Sequence, residues 1–357
     1  MSAARPRVHI VYEYSIDYRP YSSSYLRLIR HFTHPRVTDH IDATFDLDFQ
    51  HQTADLVILE RLWRPDVTLP RVEQLVERIR RAGAKFIYAL DDNFFDLVQE
   101  NKGWPPLELL PIADFCLREA DGVLLSTPAL LERLSEFITK TEDRQQWVVV
   151  PNALDERLLV SRPIKSRSLE QRKVTIGAMG TATHDEDLLM ILPAIETICR
   201  HHPGQVELQI VGVTRKPETQ QALQGLPVRA INPQPEEQEY PLFMPWFTAT
   251  LNWDIALSPL RDTPFNRTKS DVKFLDYAAI GAAGIFSRLP PYQSSVKHLE
   301  TGWLAENTPA AWEEALETLI SEPDLCQRIA RRANRYLFEQ RILAHRASDW
   351  VSAFRLY

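Results

Sequence analysis

The stretch NWDIALSPLRDTPFNRTKSDVKFLDYAAIGAAGIFS, from Asn252 to Ser287, decides how this chain is read. Ile255 to Ser258 reads as a buried strand, Arg261 to Lys269 as a polar loop, Ser270 to about Ile280 as a helix, and the residues around Ile285 as a second strand. Lys269 and Lys273 stand at the start of that helix, where the macrodipole is positive and cations are normally disfavoured. An anion bound there would resolve the conflict. Lys269, Lys273 and Asp276 fall at i, i+4 and i+7 on one face, whereas Val272, Leu275 and Ala279 fall on another that can pack under a sheet. Two cations followed by a carboxylate one turn deeper match a diphosphate followed by a ribose hydroxyl. The ordinary alternative is a solvated helix carrying a Lys273 to Asp276 ion pair.

The same alternation continues upstream. VHIVYEY (Val8 to Tyr14), ATFDLDF, ADLVILERL, AKFIYALDD, DGVLLST and WVVVPN read as strands. YLRLIRHF has Leu26, Ile29 and Phe32 at helical spacing, and LPRVEQLVERIRRAG is a clear helix with Gly83 placed to close it. From Pro151 to Arg172 the pattern lapses into a polar, proline-marked run, the expected junction. A second series follows in VTIGAMG, a helix from about Asp185 to His201, VELQIVG, VRAI and WDIALSPL, and the tail from Pro309 is almost wholly helical. Strands alternating with helices imply parallel, doubly wound sheets. The expected organisation is α/β: a Rossmann-like domain over residues 1–165, a second over 166–335 and a terminal helix over 336–357. Such sheets bind ligands beyond the carboxyl ends of their strands, so a cleft between two facing sheets is expected to hold the chemistry.

Composition narrows the classes. The formal charge of −7 supplies no global field for nucleic acid, so no nucleic-acid partner is expected. Cys116, Cys199 and Cys326 are widely spaced and suggest neither a zinc site nor a disulfide framework, which makes a reducing cytoplasm the default. MSAARPR leads into the first strand without the apolar core of a secretory signal, and no run approaches the ~20 apolar residues of a membrane span. A soluble cytoplasmic chain, or one lying on the inner face of a membrane, is expected. Arginines at 328, 331, 332, 335, 341 and 346 could touch anionic lipid, pack back on the first domain or simply be solvated.

Other motifs mainly exclude. Gly177 and Gly180 do not complete G-x-G-x-x-G, no G-x-x-x-x-G-K-[ST] occurs, and G-x-S-x-G and H-E-x-x-H are absent. Dinucleotide oxidoreductases, P-loop NTPases, serine hydrolases and zincins lose their support. Thr183 with Glu186 makes a capping box, and Asp185, Glu186 and Asp187 load that first turn with negative charge. A phosphate therefore belongs on the Lys269 helix, with Gly180 and Thr181 lining the site by close backbone approach and His184 either reaching the ligand or standing as a surface histidine at a helix start. In the first half, Asp91 and Asp92 follow a strand end and read either as candidate catalytic or hydroxyl-holding carboxylates or as turn and cap residues. Glu60 and Arg61 end another strand, under the same two readings. Glu13, Tyr14 and the loop SIDYRPYSSSY offer aromatic and hydroxyl groups suited to carbohydrate, a composition that is also that of an ordinary loop.

IGAMGTATHDEDL, the IVG at Ile210 to Gly212, WDIALSPL, PFNRTKSDVKFLDYAAIG and HLETGWLAENTPAAWEEAL resemble the second half of retaining glycosyltransferases of the GT-B fold. They are most similar to the glycosyl group 1 type that builds bacterial surface polysaccharides. The resemblance covers about Val174 to Leu319; in the first half only YALDDNFF and VVVPN share it. It implies transfer of a hexose or deoxyhexose from a nucleotide diphosphate sugar to a glycan or lipid-linked acceptor. Lys269, Ser270 and Lys273 would then hold the diphosphate, and Phe265, Asn266, Thr268 and His184 would shape the sugar pocket. No metal or other cofactor is implied, because side-chain cations and a helix N-terminus neutralise the leaving group. The family has two glutamates, the second on the ribose; aligned on FLDYAAIG, the second position is Asp276 and the first is Thr268. With that first acid missing, a nucleotide-sugar epimerase on the same fold and an inactive nucleotide- or glycan-binding subunit stay as alternatives.

Overall fold

A computed structural model describes residues 5–100, 104–138, 145–164, 173–181, 184–212 and 216–354. Thr183 of the expected capping box, and residues 165–172 of the expected junction, lie outside these. The chain divides into two compact units. The first comprises Met1–Glu156, Thr268–Ser270 and Ile342–Tyr357, and the second Arg157–Arg267 and Asp271–Arg341.

The first unit is built on six parallel strands: β1 (Arg7–Val11), β2 (Asp42–Asp46), β3 (Leu56–Glu60), β4 (Lys85–Leu90), β5 (Gly122–Leu125) and β6 (Gln146–Val149). Their order is β2-β1-β3-β4-β5-β6. The chain leaves β1 for β2 on one side and continues from β3 on the other, so the winding reverses between β1 and β3. Strands β3, β4 and β5 are apolar runs because both faces of a doubly wound sheet are covered. Helix Leu69–Arg81 lies on the sheet with Val72, Leu75, Val76 and Ile79 buried, and Gly83 follows it at φ +73°, a conformation open to glycine at no steric penalty. The last helix, Leu343–Phe354, packs into this unit's core through Ala347, Trp350, Val351 and Phe354, with Phe32 edge-on to Trp350 and Phe354 at 5.6 and 5.1 Å.

YLRLIRHF departs from the regular helix its spacing suggests. Tyr25–Ile29 forms a wider π turn before the α-helical turn Arg30–Phe32. The extra residue per turn rotates the buried face, so Arg27, Leu28, His31 and Phe32 point inward while Leu26 and Ile29 are only half-buried. Arg27 is tolerated there because it donates to the Val150 and Leu125 carbonyls and to Asn152 Oδ1, at 2.7, 3.1 and 2.7 Å.

The second unit repeats the architecture with β7 (Val174–Met179), β8 (Val206–Val211), β9 (Val228–Ala230), β10 (Ile255–Ser258), β11 (Ala283–Ser287) and β12 (Trp303–Ala305). All pair in parallel, in the order β12-β11-β10-β7-β8-β9, and the winding reverses between β7 and β10. Ile176, Ile210, Leu257 and Ile285 from the sheet meet Leu188, Ile191, Ile195 and Ile198 of helix Asp185–His201, with Trp312 and Leu316 of helix Pro309–Ser321. Each such buried side chain contributes about 1.5–3 kcal/mol. Gly177 is a glycine because the Trp253 ring lies against it, where a Cβ would fall 1.8 Å from ring carbon.

The helical tail is broken where the units divide. Helix Pro323–Gln340 ends at Arg341, whose guanidinium grips Asp271 through two hydrogen bonds of 2.7 and 3.0 Å. Asp271 is the residue before helix Val272–Ala279, so a forked ion pair anchors the start of that helix.

Candidate functional site

The reversal point of the second sheet brings together residues that the sequence had separated. A crevice there is lined by Met179 at the end of β7, His184 just before the next helix, Asp187 in that helix's first turn, Ser258 and Pro259 at the end of β10, and Lys273. His184 Nδ1 lies 2.9 Å from Asp187 Oδ2, and Asp187 Oδ1 accepts the Arg261 N–H at 2.8 Å. One buried carboxylate thereby orients an imidazole and ties down the start of the Arg261–Lys269 loop. Ser258 Oγ is 2.6 Å from the Tyr292 hydroxyl, and Tyr277 spans the two strands by donating to the Leu257 carbonyl and accepting the Met179 N–H, at 2.8 and 3.3 Å.

Gly180 stands at the mouth of β7, its N–H donated to the Val211 carbonyl at 3.1 Å. A Cβ on Gly180 would meet the His184 ring at 3.1 Å. Gly212, at φ +77°, approaches so closely that a Cβ there would sit 2.4 Å from the Gly180 carbonyl oxygen. Glycines at both strand ends thus keep the backbone open beside His184. Thr181 is exposed, and its carbonyl accepts the His184 N–H at 3.0 Å.

The helix of the deciding stretch begins at Val272, later than its sequence suggests. Thr268, Lys269 and Ser270 fall with the first unit and Lys273 with the second, so Lys269 does not share a helical face with Lys273 and Asp276. In the first unit, the Thr127 hydroxyl donates to the Thr268 carbonyl at 2.9 Å and Asn152 Nδ2 donates to Ser270 Oγ at 2.8 Å. The buried face of the helix is Phe274, Leu275, Tyr277 and Ala278; Val272 and Ala279 are only half-buried. Asp276 is buried rather than exposed, and burial pushes its carboxyl up to about 6 against the pull of Lys273, whose Nζ lies 3.9 Å away. The ordinary ion pair is therefore present. It leaves Lys273 at the crevice, with its side chain 21% exposed.

Phe265 and Asn266 are buried in the short helix Pro264–Arg267. Asn266 Nδ2 donates to the Arg261 carbonyl at 2.9 Å, while its buried Oδ1 has no hydrogen-bond partner among the described residues.

In the first unit, Asp91 and Asp92 lie at the end of β4, and both are gripped by one guanidinium. Arg61 Nη1 is 2.6 Å from Asp91 Oδ1 and 3.1 Å from Asp92 Oδ2, and its Nε is 2.8 Å from Glu13 Oε2. Burial alone would lower the Arg61 pKa, but the fields of Asp91, Glu13, Asp92 and Glu60 more than offset it and keep the group charged. Asn93 caps the following helix, accepting from the N–H groups of Phe95 and Asp96, so the aspartates do not serve that role. Among the described residues no group of three or more His, Cys, Asp or Glu side chains is placed to hold a metal ion.

Glu60, at the end of β3, accepts the Glu13 N–H at 3.0 Å, and burial raises its pKa to about 8. An acid bound to its proton more tightly in the folded state favours folding below its ordinary pKa, and that contribution falls as pH rises from about 4.5 to 8. Glu60→Gln, which copies the neutral form, is expected to flatten the fall in thermal midpoint between about pH 6.5 and 8.5, a window above the Asp276 titration. Melts of both proteins across that window check this, and parallel slopes would contradict it.

Asp187 is read in the sequence only as part of a helix start, and Arg61 is weighed there without the carboxylates that the fold brings to it. Asp187 sits in a helical first turn, where acids are unremarkable. Arg61 has partners about thirty residues downstream that no local pattern joins to it.

Two doubly wound six-stranded sheets, one in each unit, define the GT-B fold. No described protein family and no curated protein matches the chain in sequence. Solved structures do share its fold. Anabaena HepE, crystallised with UDP and glucose, superposes with a TM-score of 0.68 at 13% identity, covering 99% of this chain and 100% of HepE. Sucrose-phosphate synthase from Thermosynechococcus elongatus gives 0.66 at 12% identity, covering 99% of this chain and 98% of its own. A glycosyltransferase from Rickettsia africae gives 0.63 at 11%, with 98% of each covered. Identities this low carry the fold alone. Among the described residues no helix is long and apolar enough to cross a membrane.

Proposed function

We propose that the chain is a glycosyltransferase that moves a hexose or deoxyhexose from a nucleotide diphosphate sugar to a glycan or lipid-linked acceptor, with retention at the anomeric carbon. The observation that carries this reading is the crevice at the reversal point of the second sheet, where Lys273, the His184–Asp187 pair and the open backbone at Gly180 converge. Lys273 supplies the cation for the leaving diphosphate, with Gly180 and Thr181 beside it. Asp276 accepts ribose hydroxyls. Phe265, Asn266 and His184 shape the sugar pocket, and Asn266 Oδ1, without a hydrogen-bond partner among the described residues, is an acceptor suited to a sugar hydroxyl. HepE holding UDP and glucose, and the pneumococcal O-GlcNAc transferase GtfA holding UDP and GlcNAc, support a nucleotide-sugar donor on this fold. The reaction runs without a metal, because side-chain cations take its place. The chain acts in the cytoplasm, at the inner face of the membrane where its acceptor is lipid-linked.

A panel of nucleotides and nucleotide sugars tests this by thermal shift and then by release of nucleoside diphosphate. A true donor at about 100 times its Kd adds about 2.7 kcal/mol of stability. At about 2–4 °C per kcal/mol for a domain of this size, the midpoint shift is large enough to read. No shift with any nucleotide would refute the reading. Isomerised donor without acceptor, seen by NMR, would instead identify an epimerase, and binding without turnover under any acceptor a non-catalytic subunit.

A further inference from the structure

The last helix, Leu343–Phe354, is seated in the first unit on a fully buried imidazole. His31 is 1% exposed, and its ring lies 4.2 Å from the Trp350 indole, centroid to centroid. Neither His31 nitrogen makes a well-formed hydrogen bond among the described residues, and the buried Trp350 Nε1 makes none either. The π turn Tyr25–Ile29 brings Arg27 onto the same indole, with its guanidinium carbon 5.5 Å from the ring. Trp350 thus packs against a permanent cation and an imidazole side by side.

A proton on His31 would have nothing beside it to offset the charge. On its own segment Arg27 is a buried cation, Arg30 is taken up by Asp155, and His34 by Glu156. Glu156 also accepts the Ala344 N–H, at 3.3 Å. The last helix brings Arg346 and Asp349, which pair with each other at 2.6 Å, and an exposed His345. From Pro35–Thr38 and the turn after it, Arg36 donates to the Ala344 carbonyl at 2.5 Å, and Asp39 and His40 are exposed. The sheet contributes apolar side chains to this core, among them Val8, Ile10, Leu56 and Ile58. Asp91 and Glu60 act on Arg27 but not on His31. Burial, then Arg27 and His34, hold the His31 ring well below the usual imidazole range, and the Leu26 carbonyl is the smallest influence and the only opposing one.

We infer that His31 is a proton-operated latch for the last helix: neutral, it is the seat of Trp350, and protonated, it releases Leu343–Phe354 from the first unit. Linkage gives the sign. The released form takes up a proton at the ordinary imidazole pKa of about 6.5 and the seated form only well below it, so seating weakens as pH falls through about 6.5. The latch holds whatever reaction the second unit serves.

Hydrogen exchange of the full chain at about pH 7.5 and about pH 5.5, read by mass spectrometry and corrected for the intrinsic rate, tests it. Protection of the amides in Leu343–Phe354 is expected to fall about tenfold between the two, the ratio set by protonating the imidazole of the open form. His31→Phe keeps a ring against Trp350 without a buried nitrogen, so its protection is expected to change by less than about twofold, with the amides of β3 and β4 responding alike in both proteins. His31→Leu carries the same expectation and guards against a ring too large for the seat. Undiminished protection of the last helix at the lower pH overturns the inference, as does an equal fall in His31→Phe and His31→Leu. So does a difference between the proteins that β3 and β4 share in full, which would mark acid unfolding of the whole unit.

Discussion

Arg61→Ala is expected to destabilise the first unit by about 3–5 kcal/mol, because it strands Glu13, Asp91 and Asp92 around a missing cation. In the folded protein Arg61 is buried, and each of those carboxylates lies within 3.1 Å of it. Glu13 is the worst placed of the three: burial already raises its pKa, and Arg61 is the main opposing influence. The change also removes the guanidinium packed on Phe94 and Trp104. Arg61→Lys should fall between, since an ammonium restores charge without the planar fork that reaches three carboxylates at once. Urea unfolding of the three proteins measures this. A loss under about 1 kcal/mol for Arg61→Ala, the size of an exposed pair, would show that the cluster is not the buried unit described here.

Lys273→Ala is the second large effect, and its readout is ligand affinity rather than stability. A charge-assisted contact to diphosphate is worth about 1.5–3 kcal/mol, so the affinity for UDP or the nucleotide actually bound should drop roughly 10- to 150-fold. Stability should change far less, because Lys273 is partly exposed and its pairing with Asp276 spans 3.9 Å. Without the ammonium, burial acts unopposed on Asp276, and its carboxyl should titrate above its present value of about 6. Isothermal titration of nucleotide into both proteins separates the two effects, and an unchanged Kd would remove Lys273 from the site.

Much of the fold is legible in the sequence because parallel sheets covered on both faces read as apolar runs. Ile255–Ser258 is recovered residue for residue, and helix Asp185–His201 is as its pattern predicts. Strand β12 is missed as a strand because three residues carry no period. The face of YLRLIRHF is misread because a π turn breaks the 3.6-residue spacing on which the reading depends. Of the candidate site residues, Lys273 and His184, singled out for chemistry at strand and helix ends, line one crevice, and Gly180 lies against the His184 ring. Asp276 is named, but its burial is not foreseen. The division of the deciding stretch, with Thr268 to Ser270 in one unit and Lys273 in the other, is set by long-range partners such as Asn152 for Ser270 and Arg341 for Asp271. A helical period carries no trace of such partners.

A crystal of the protein soaked with UDP tests the central claim most directly. The second unit is predicted to hold the diphosphate within hydrogen-bond reach of Lys273 Nζ, beside His184 and Gly180, with the ribose towards Asp276. Diphosphate found away from Lys273, or a crevice left empty at a concentration that saturates binding in solution, would contradict it.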